Sequence, residues 1–267
     1  MGRRRRSMIL IAALMASAFI EPAAARTLRV CADPNNMPFS NLAREGFENR
    51  IVELAAQQMG ATVEYIWRAQ RRGYVREGLN GRECDVLPGV ASNLETVLTT
   101  RPYYRSSYVF LWRTDRRLQL SSLDDPRLAD LTIGVQMVGD DFSNTPPAHA
   151  LARRGHTQNI RGYMIYGDYG DPAPAANIIR AVARGDVDAA VVWGPLAGYF
   201  ASRADAPLSF EPIEPRLDPP GLPMTFDISM AVRRDDPDLR RDINRALLQA
   251  EAEIDSILAR YDVPRPD

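Results

Sequence analysis

The sequence predicts an α/β fold of two lobes, each a mostly parallel sheet flanked by helices. Three observations lead there. Residues 175–184 (AANIIRAVAR) have helical spacing, stop at Gly185 and pass into the apolar run 187–193, the helix, stop and doubly buried strand of a parallel unit. Residues 28–90 alternate strand and helix patterns in the order βαβαβ, which calls for a parallel sheet covered by helices. After about residue 113 the pattern restarts, and a last strand and helix follow at 226–261. Two discontinuous lobes joined by two crossings fit that order better than two beads on a linker.

Residues 1–25 stand outside this fold. Arg3 to Arg6 make a positive n-region, residues 8–20 an apolar stretch and Ala23, Ala24 and Ala25 a small-residue cleavage site, the order of a secretory signal peptide. The mature chain is expected to begin near Arg26 and to be exported to the periplasm, by the ordinary rather than the twin-arginine route. The apolar stretch is shorter than the roughly 20 residues that span a bilayer, and no later one is longer, so no membrane insertion is expected.

The first strand is read at 28–32 (LRVCA), followed by a Pro/Asn-rich loop at 33–41 and an amphipathic helix at 47–59 with Ile51, Leu54, Ala55 and Met59 on one face. A second strand is read at 63–67, a short helix at 73–79 and a third strand at 84–90. The long β-type run 103–112 precedes the restart, which gives strands at 131–135 and 162–166 around a helix near 149–154. The Pro-rich segment 211–223 reads as the crossing back, 226–232 as a strand, and 239–261 as one long amphipathic helix or two. Lobe 1 is thus expected to hold residues 26–112 and 213–267, and lobe 2 residues 113–212.

All 33 basic residues are arginine, and they are scattered. Removing the leader, with four Arg and one Glu, takes the formal charge from −1 to −4, which argues against nucleic acid or an anionic membrane as the main partner. The only two cysteines, Cys31 and Cys84, fall in strands read as neighbours in an exported chain, where oxidation is the default. A Cys31–Cys84 disulfide is expected, the alternative being two buried thiols in mismatched register.

Ligands of open α/β sheets sit beyond the carboxyl ends of strands, which places Trp193 at a cleft, the alternative being a packed aromatic. Asn36 and Phe39, in the loop after the first strand, and Tyr103 are further candidate cleft residues, with Arg71 at the cleft mouth and Asp141 after the strand at 131–135. Arg71 and Arg72 fit either an anion contact or a solvated face. Tyr163, Tyr166 and Tyr169 alternate with glycine and aspartate, which reads as a surface turn or as a partner-binding contact. An enzyme on this chain would need a cleft acid or base, and Asp33, Glu48 and Asp141 are the candidates. No paired-carboxylate spacing, GxSxG, P-loop or dinucleotide glycine pattern is present, so no enzyme is expected. His149 and His156 are separated by the helix end expected at Gly155, and no metal or other cofactor is expected.

Taken in order, LRVCADPNNMPFS, GFENRIVELAAQQMG, TTRPYYRSSYVFLW, SSLDDPRLADLTIGVQ, RGDVDAAVVWGPLAGYF and DISMAVRRDDPDLRRDINRAL resemble the type II periplasmic solute-binding proteins of ABC importers over essentially the whole mature chain. The resemblance implies the two-lobed periplasmic binding protein type II fold. Members that bind amino acids place an Arg after the third strand for the ligand carboxylate and an Asp after the later strand for its ammonium. Here 91–100 (ASNLETVLTT) has no basic residue, and the Asp position holds Trp193. Without those anchors a zwitterion is poorly compensated for lost hydration, whereas Phe39, Tyr103 and Trp193 suit an apolar or aromatic surface, or a cation over a ring.

A narrower resemblance covers the departures. YIWRAQRRGYVREGL, CDVLPGV, VLTTRPYYRSSYVF, YGDYGDPAPAA and VVWGPLAGYF look like the solute-binding-like proteins associated with quinoprotein dehydrogenases. That resemblance implies a non-enzymatic periplasmic accessory to a PQQ-dependent methanol dehydrogenase, supporting its maturation or activity through protein interaction. The PQQ and the calcium or lanthanide would belong to the dehydrogenase. The alternative is an importer receptor whose lobes close on a small apolar or aromatic ligand.

Overall fold

The computed structural model describes residues 26–70, 73–138, 144–165, 170–171 and 173–266; the expected leader lies outside them. Strand β1 (Arg26–Ala32) lies between β2 (Ala61–Trp67) and β3 (Val86–Ala91) and runs parallel to both. This is the arrangement the βαβαβ order predicts. Helix α1 (Phe47–Gln58) links β1 to β2 and buries Phe47, Ile51, Val52, Ala55 and Ala56, a stripe at helical spacing that turns its polar side to water. Leu54 and Met59, expected on that face, are only partly buried at its margin.

The helix expected at 73–79 is instead a single wide turn, Val75–Leu79, in which the Asn80 amide donates to the Val75 carbonyl. The turn is pinned from beneath. Cys31 and Cys84 are bonded to each other, as expected from their placement, and a side chain at Gly78 would press on the Cys31 sulfur.

Strand β4 (Tyr104–Arg113) changes partners along its length. Its first residues, Tyr104–Ser107, pair antiparallel with β9 (Thr225–Val232), and its remainder pairs antiparallel with β7 (Ala189–Trp193) on one side and β8 (Leu208–Pro212) on the other. The later part of β9 in turn pairs antiparallel with β3. Beyond β7 lie β5 (Ile133–Met137) and β6 (Ile160–Met164), both parallel in sequence with it. Each half of the sheet thus keeps a parallel core, and the strands that join the halves are antiparallel because the chain enters them from the opposite side.

Strand β8 has no counterpart among the elements expected from the sequence, and only its last two residues overlap the stretch 211–223 read as a crossing. It is five residues long with no fully buried side chain, and it closes on Pro212, which a sheet edge tolerates because no N–H is missed there. Helix α2 (Pro146–Arg153) leads to β6, and α3 (Asn177–Arg184) leads to β7. Gly185 caps α3 at φ 78°, the left-handed stop expected from the sequence. Helix α4 (Gly194–Ala201) follows Trp193 directly. The final amphipathic stretch is two helices, α5 (Pro237–Gln249) and α6 (Glu251–Arg260), meeting at the buried Ala250.

Four apolar cores among the described residues stabilise this frame: α1, α5 and α6 over β1, β3 and β9; the 75–79 turn with Cys31, Cys84, Leu87 and Ala231; α2 against one face of β4, β5 and β7; and α3 and α4 against the other face. The segment after α6 does not stop on its own side. It lies across α4 and the start of β4, where Ser106 Oγ of β4 donates to the Pro264 carbonyl at 2.8 Å and Ser202 Oγ, just after α4, donates to Asp262 at 2.8 Å.

Candidate functional site

The carboxyl ends of β1, β2, β3 and β7 and the point where β4 exchanges partners converge on one cavity of about 250 Å³. Strand alternation selects its wall. Tyr104 and Tyr108 are four residues apart on one face of β4, and Phe226 and Ile228 two apart on one face of β9. Trp193 comes from the end of β7 and completes a ring cluster, with centroids 5.2 Å from Tyr108 and 6.0 Å from Phe226, and 6.3 Å between those two. Such edge-to-face pairs favour one packing over a fluid one.

The polar side of the cavity is built from loops. Asp33, buried after β1, accepts from the Asn35 amide at 2.9 Å and from the Gln70 amide at 2.7 Å, which ties the loops after β1 and β2 together. Asn36 then donates to Gln70 Oε1 at 2.9 Å, and both line the cavity. From the other half of the sheet, Gln136 Oε1 accepts the Trp193 amide at 2.7 Å and holds the start of α4. Asn35 crosses between the halves, donating to the Asp171 carbonyl at 2.8 Å and accepting from the Ala173 amide at 3.3 Å.

Glu48, in the first turn of α1, is a carboxylate on the cavity wall with only 7% of its surface exposed. Its Oε1 accepts from the Tyr103 hydroxyl at 3.0 Å, and that hydroxyl accepts from the Gly89 amide at 2.9 Å. Burial pushes the Glu48 carboxyl up to about 7, partly offset by the Tyr103 hydrogen bond. Burial also holds the Tyr103 and Tyr104 hydroxyls well above their ordinary range, with the Glu48 charge adding to it. Gly89 makes room for this carboxylate: at φ 75° it carries no side chain, and a Cβ there would stand 2.7 Å from Glu48 Oε1.

Of the residues expected at the cleft, Asn36, Phe39 and Trp193 line the cavity together. Tyr103 stands behind that wall, buried, with its hydroxyl between Gly89 and Glu48, while its neighbour Tyr104 faces in. Arg71 and Asp141 lie outside the described residues, as do Arg72, Tyr166 and Tyr169. Tyr163 is half-buried and packs against the core formed by α3, α4 and β7. Sequence reasoning missed Tyr108, Phe226 and Gln136; counting alternate residues from Tyr104 reaches Tyr108, but no local signal announces that β9 pairs beside it.

Among the described residues lining the cavity there is no arginine or histidine. The loop after β3 is fastened instead by Ser92, whose Oγ donates to the Asp227 carbonyl at 3.0 Å and lies 2.6 Å from Ser229 Oγ. No group of three or more His, Cys, Asp or Glu among the described residues could hold a metal ion, and no helix among them is long and apolar enough to cross a membrane.

The model of the bacterial extracellular solute-binding proteins, family 3, matches residues 28–263. Protein MoxJ of Methylorubrum extorquens is 34% identical over 252 residues, which cover 90% of this chain and 82% of that one. Protein MoxJ of Paracoccus denitrificans is 34% identical over 266 residues, 93% of each chain. The crystal structure of the periplasmic binding protein XoxJ from Methylobacterium extorquens AM1 superposes with a TM-score of 0.73 at 35% identity, covering 90% of this chain and 99% of that one.

Proposed function

Because the chain belongs to family 3 of the bacterial extracellular solute-binding proteins, we propose that it is a non-catalytic periplasmic binding protein serving a PQQ-dependent methanol dehydrogenase. Its role in this reading is to support maturation or activity of the dehydrogenase by holding a segment of it in the cleft. The observation that carries the reading is a cavity walled by Tyr104, Tyr108, Trp193 and Phe226 with no arginine among its described lining residues. Such a wall cannot offset the cost of stripping water from an amino-acid carboxylate, while ring surfaces are typical anchors for a protein segment. The similarity to MoxJ and XoxJ proteins supports the same assignment.

In this reading residues 1–25 are removed as a signal peptide. Residues 26–112 with 213–267 and residues 113–212 are the two lobes, and β4 and β9 are the hinge. Asn36, Phe39, Arg71, Tyr103, Asp141 and Trp193 serve the cleft, and Tyr163, Tyr166 and Tyr169 contact the partner at its rim.

The test is capture and titration of the mature protein with purified methanol dehydrogenase, apo and PQQ-loaded, with dehydrogenase activity followed in parallel. Binding that alters activity or cofactor loading supports the accessory role. Absence of binding, together with thermal stabilisation by a small periplasmic solute, supports the importer receptor instead. The modest cavity volume of about 250 Å³ is the observation favouring that second reading, since it suits a small molecule.

A further inference from the structure

Glu48 is left over by everything above. It is a carboxylate more than nine-tenths buried, one of its oxygens accepts from Tyr103, and it forms no ion pair with any described residue. A buried carboxylate normally has a cation or several donors to replace its water. Here the open side of the group is the cavity, and facing it there are rings. Tyr104 is close enough for the Glu48 charge to bear on its hydroxyl, and Tyr108, Trp193 and Phe226 form the edge-to-face cluster beyond. The described lining contributes no competing positive charge, and its other polar groups are the neutral amides of Asn36, Gln70 and Gln136.

An ammonium group is the chemistry that fits both halves of such a site, since aromatic rings attract a weakly hydrated cation through their quadrupole and a desolvated carboxylate supplies the counter-charge. We propose that the cavity takes an organic ammonium group without an accompanying carboxylate, its charge set between Glu48 and the rings of Tyr104, Tyr108 and Trp193. A carboxylate on the same ligand would find no cation among the described lining residues, which separates this site from one for a free amino acid. The inference rests on the cleft being an occupied binding site, as proposed above, and names the chemistry of the occupant. The group is carried either by a free small amine or by a lysine of the held segment.

Calorimetric titration of the mature protein at pH 8 tests this, a pH at which the Glu48 carboxyl is ionised and the facing Tyr103 and Tyr104 hydroxyls are not. Two matched pairs of probes are used: choline against the neutral 3,3-dimethylbutan-1-ol, and acetyl-Gly-Lys-Gly-amide against its norleucine counterpart. The charged member of at least one pair is expected to bind about tenfold more tightly than its neutral match. The pair that discriminates identifies the source of the ammonium. Glu48→Gln should erase the preference, and Tyr108→Leu, which removes one of the facing rings outside the Glu48 hydrogen bonds, should reduce it even if the first variant folds poorly. Equal binding by the neutral probes, no binding of either charged probe at millimolar concentration, or a preference that survives Glu48→Gln in a folded protein overturns the proposal. Dehydrogenase capture without ammonium preference would overturn this inference alone, and ammonium preference without capture would overturn only the partner reading.

Discussion

Glu48 sets the residue-scale behaviour of the cleft. Its carboxyl is raised by burial from 4.5 to about 7, so the folded state holds the proton more tightly than the unfolded chain. The sign follows directly: this contribution is fully present below pH 4.5 and is lost as pH rises through about 7. Unfolding by urea should therefore show a loss of about 3 kcal/mol from this group between pH 4 and 8. Glu48→Gln should flatten that part of the profile, and an unchanged slope would mean the group does not titrate as placed. Trp193 acts differently. It is half-buried and touches Tyr108 and Phe226 at ring-pair distances, so Trp193→Ala removes cavity wall rather than the centre of a core. We expect it to weaken occupant or dehydrogenase binding by about tenfold or more, with a cooperative thermal transition retained. Undiminished binding by that variant would place the occupant elsewhere.

At the scale of elements, the segment between β2 and β3 is the least self-sufficient part of the first half of the sheet. Its one wide turn rests on the buried Cys31–Cys84 bond, which spans 53 residues of sequence. A loop of that length is stabilised by roughly 4 kcal/mol in the chain-entropy account. The Cys31→Ala, Cys84→Ala double variant should lose most of that in denaturant unfolding, and a loss below about 1 kcal/mol would show that packing alone holds the turn. The stop after α3 offers a cleaner local test. Gly185 sits at φ 78° with nothing near the position of a Cβ, so Gly185→Ala carries only the left-handed strain of about 1 kcal/mol and no collision. This stop was legible because glycine after a helical run has one structural meaning. The turn at 75–79 was not, because seven residues with helical composition do not reveal that a disulfide beneath them shortens the path.

For the whole molecule the decisive contacts are those that cross between the halves of the sheet. Strands β4 and β9 carry the chain across, the segment after α6 lies over α4, and Asn35 bonds to both Asp171 and Ala173. Asn35 is the loop contact among these, and Asn35→Ala should favour a more open cleft. The expected outcome is a larger radius of gyration in small-angle scattering and a several-fold weaker grip on any cleft occupant; an unchanged profile would mean that the strands and the last segment alone hold the halves. By itself the sequence determined the α/β class, most of the strands and helices in their order, the placement of Cys31 and Cys84 in neighbouring strands and the place of Trp193 at a strand end. Those features are written in local periodicity, in glycine and proline stops, and in the small number of cysteines. Only the tertiary structure decided that β4 exchanges partners at Tyr108, that Tyr104 rather than Tyr103 faces the cavity, and that Phe226 and Glu48 meet there from segments nearly 180 residues apart. A local pattern states which face of an element is apolar, but it carries no record of which distant strand will lie beside it, and that pairing is what makes a row of separate side chains into a site.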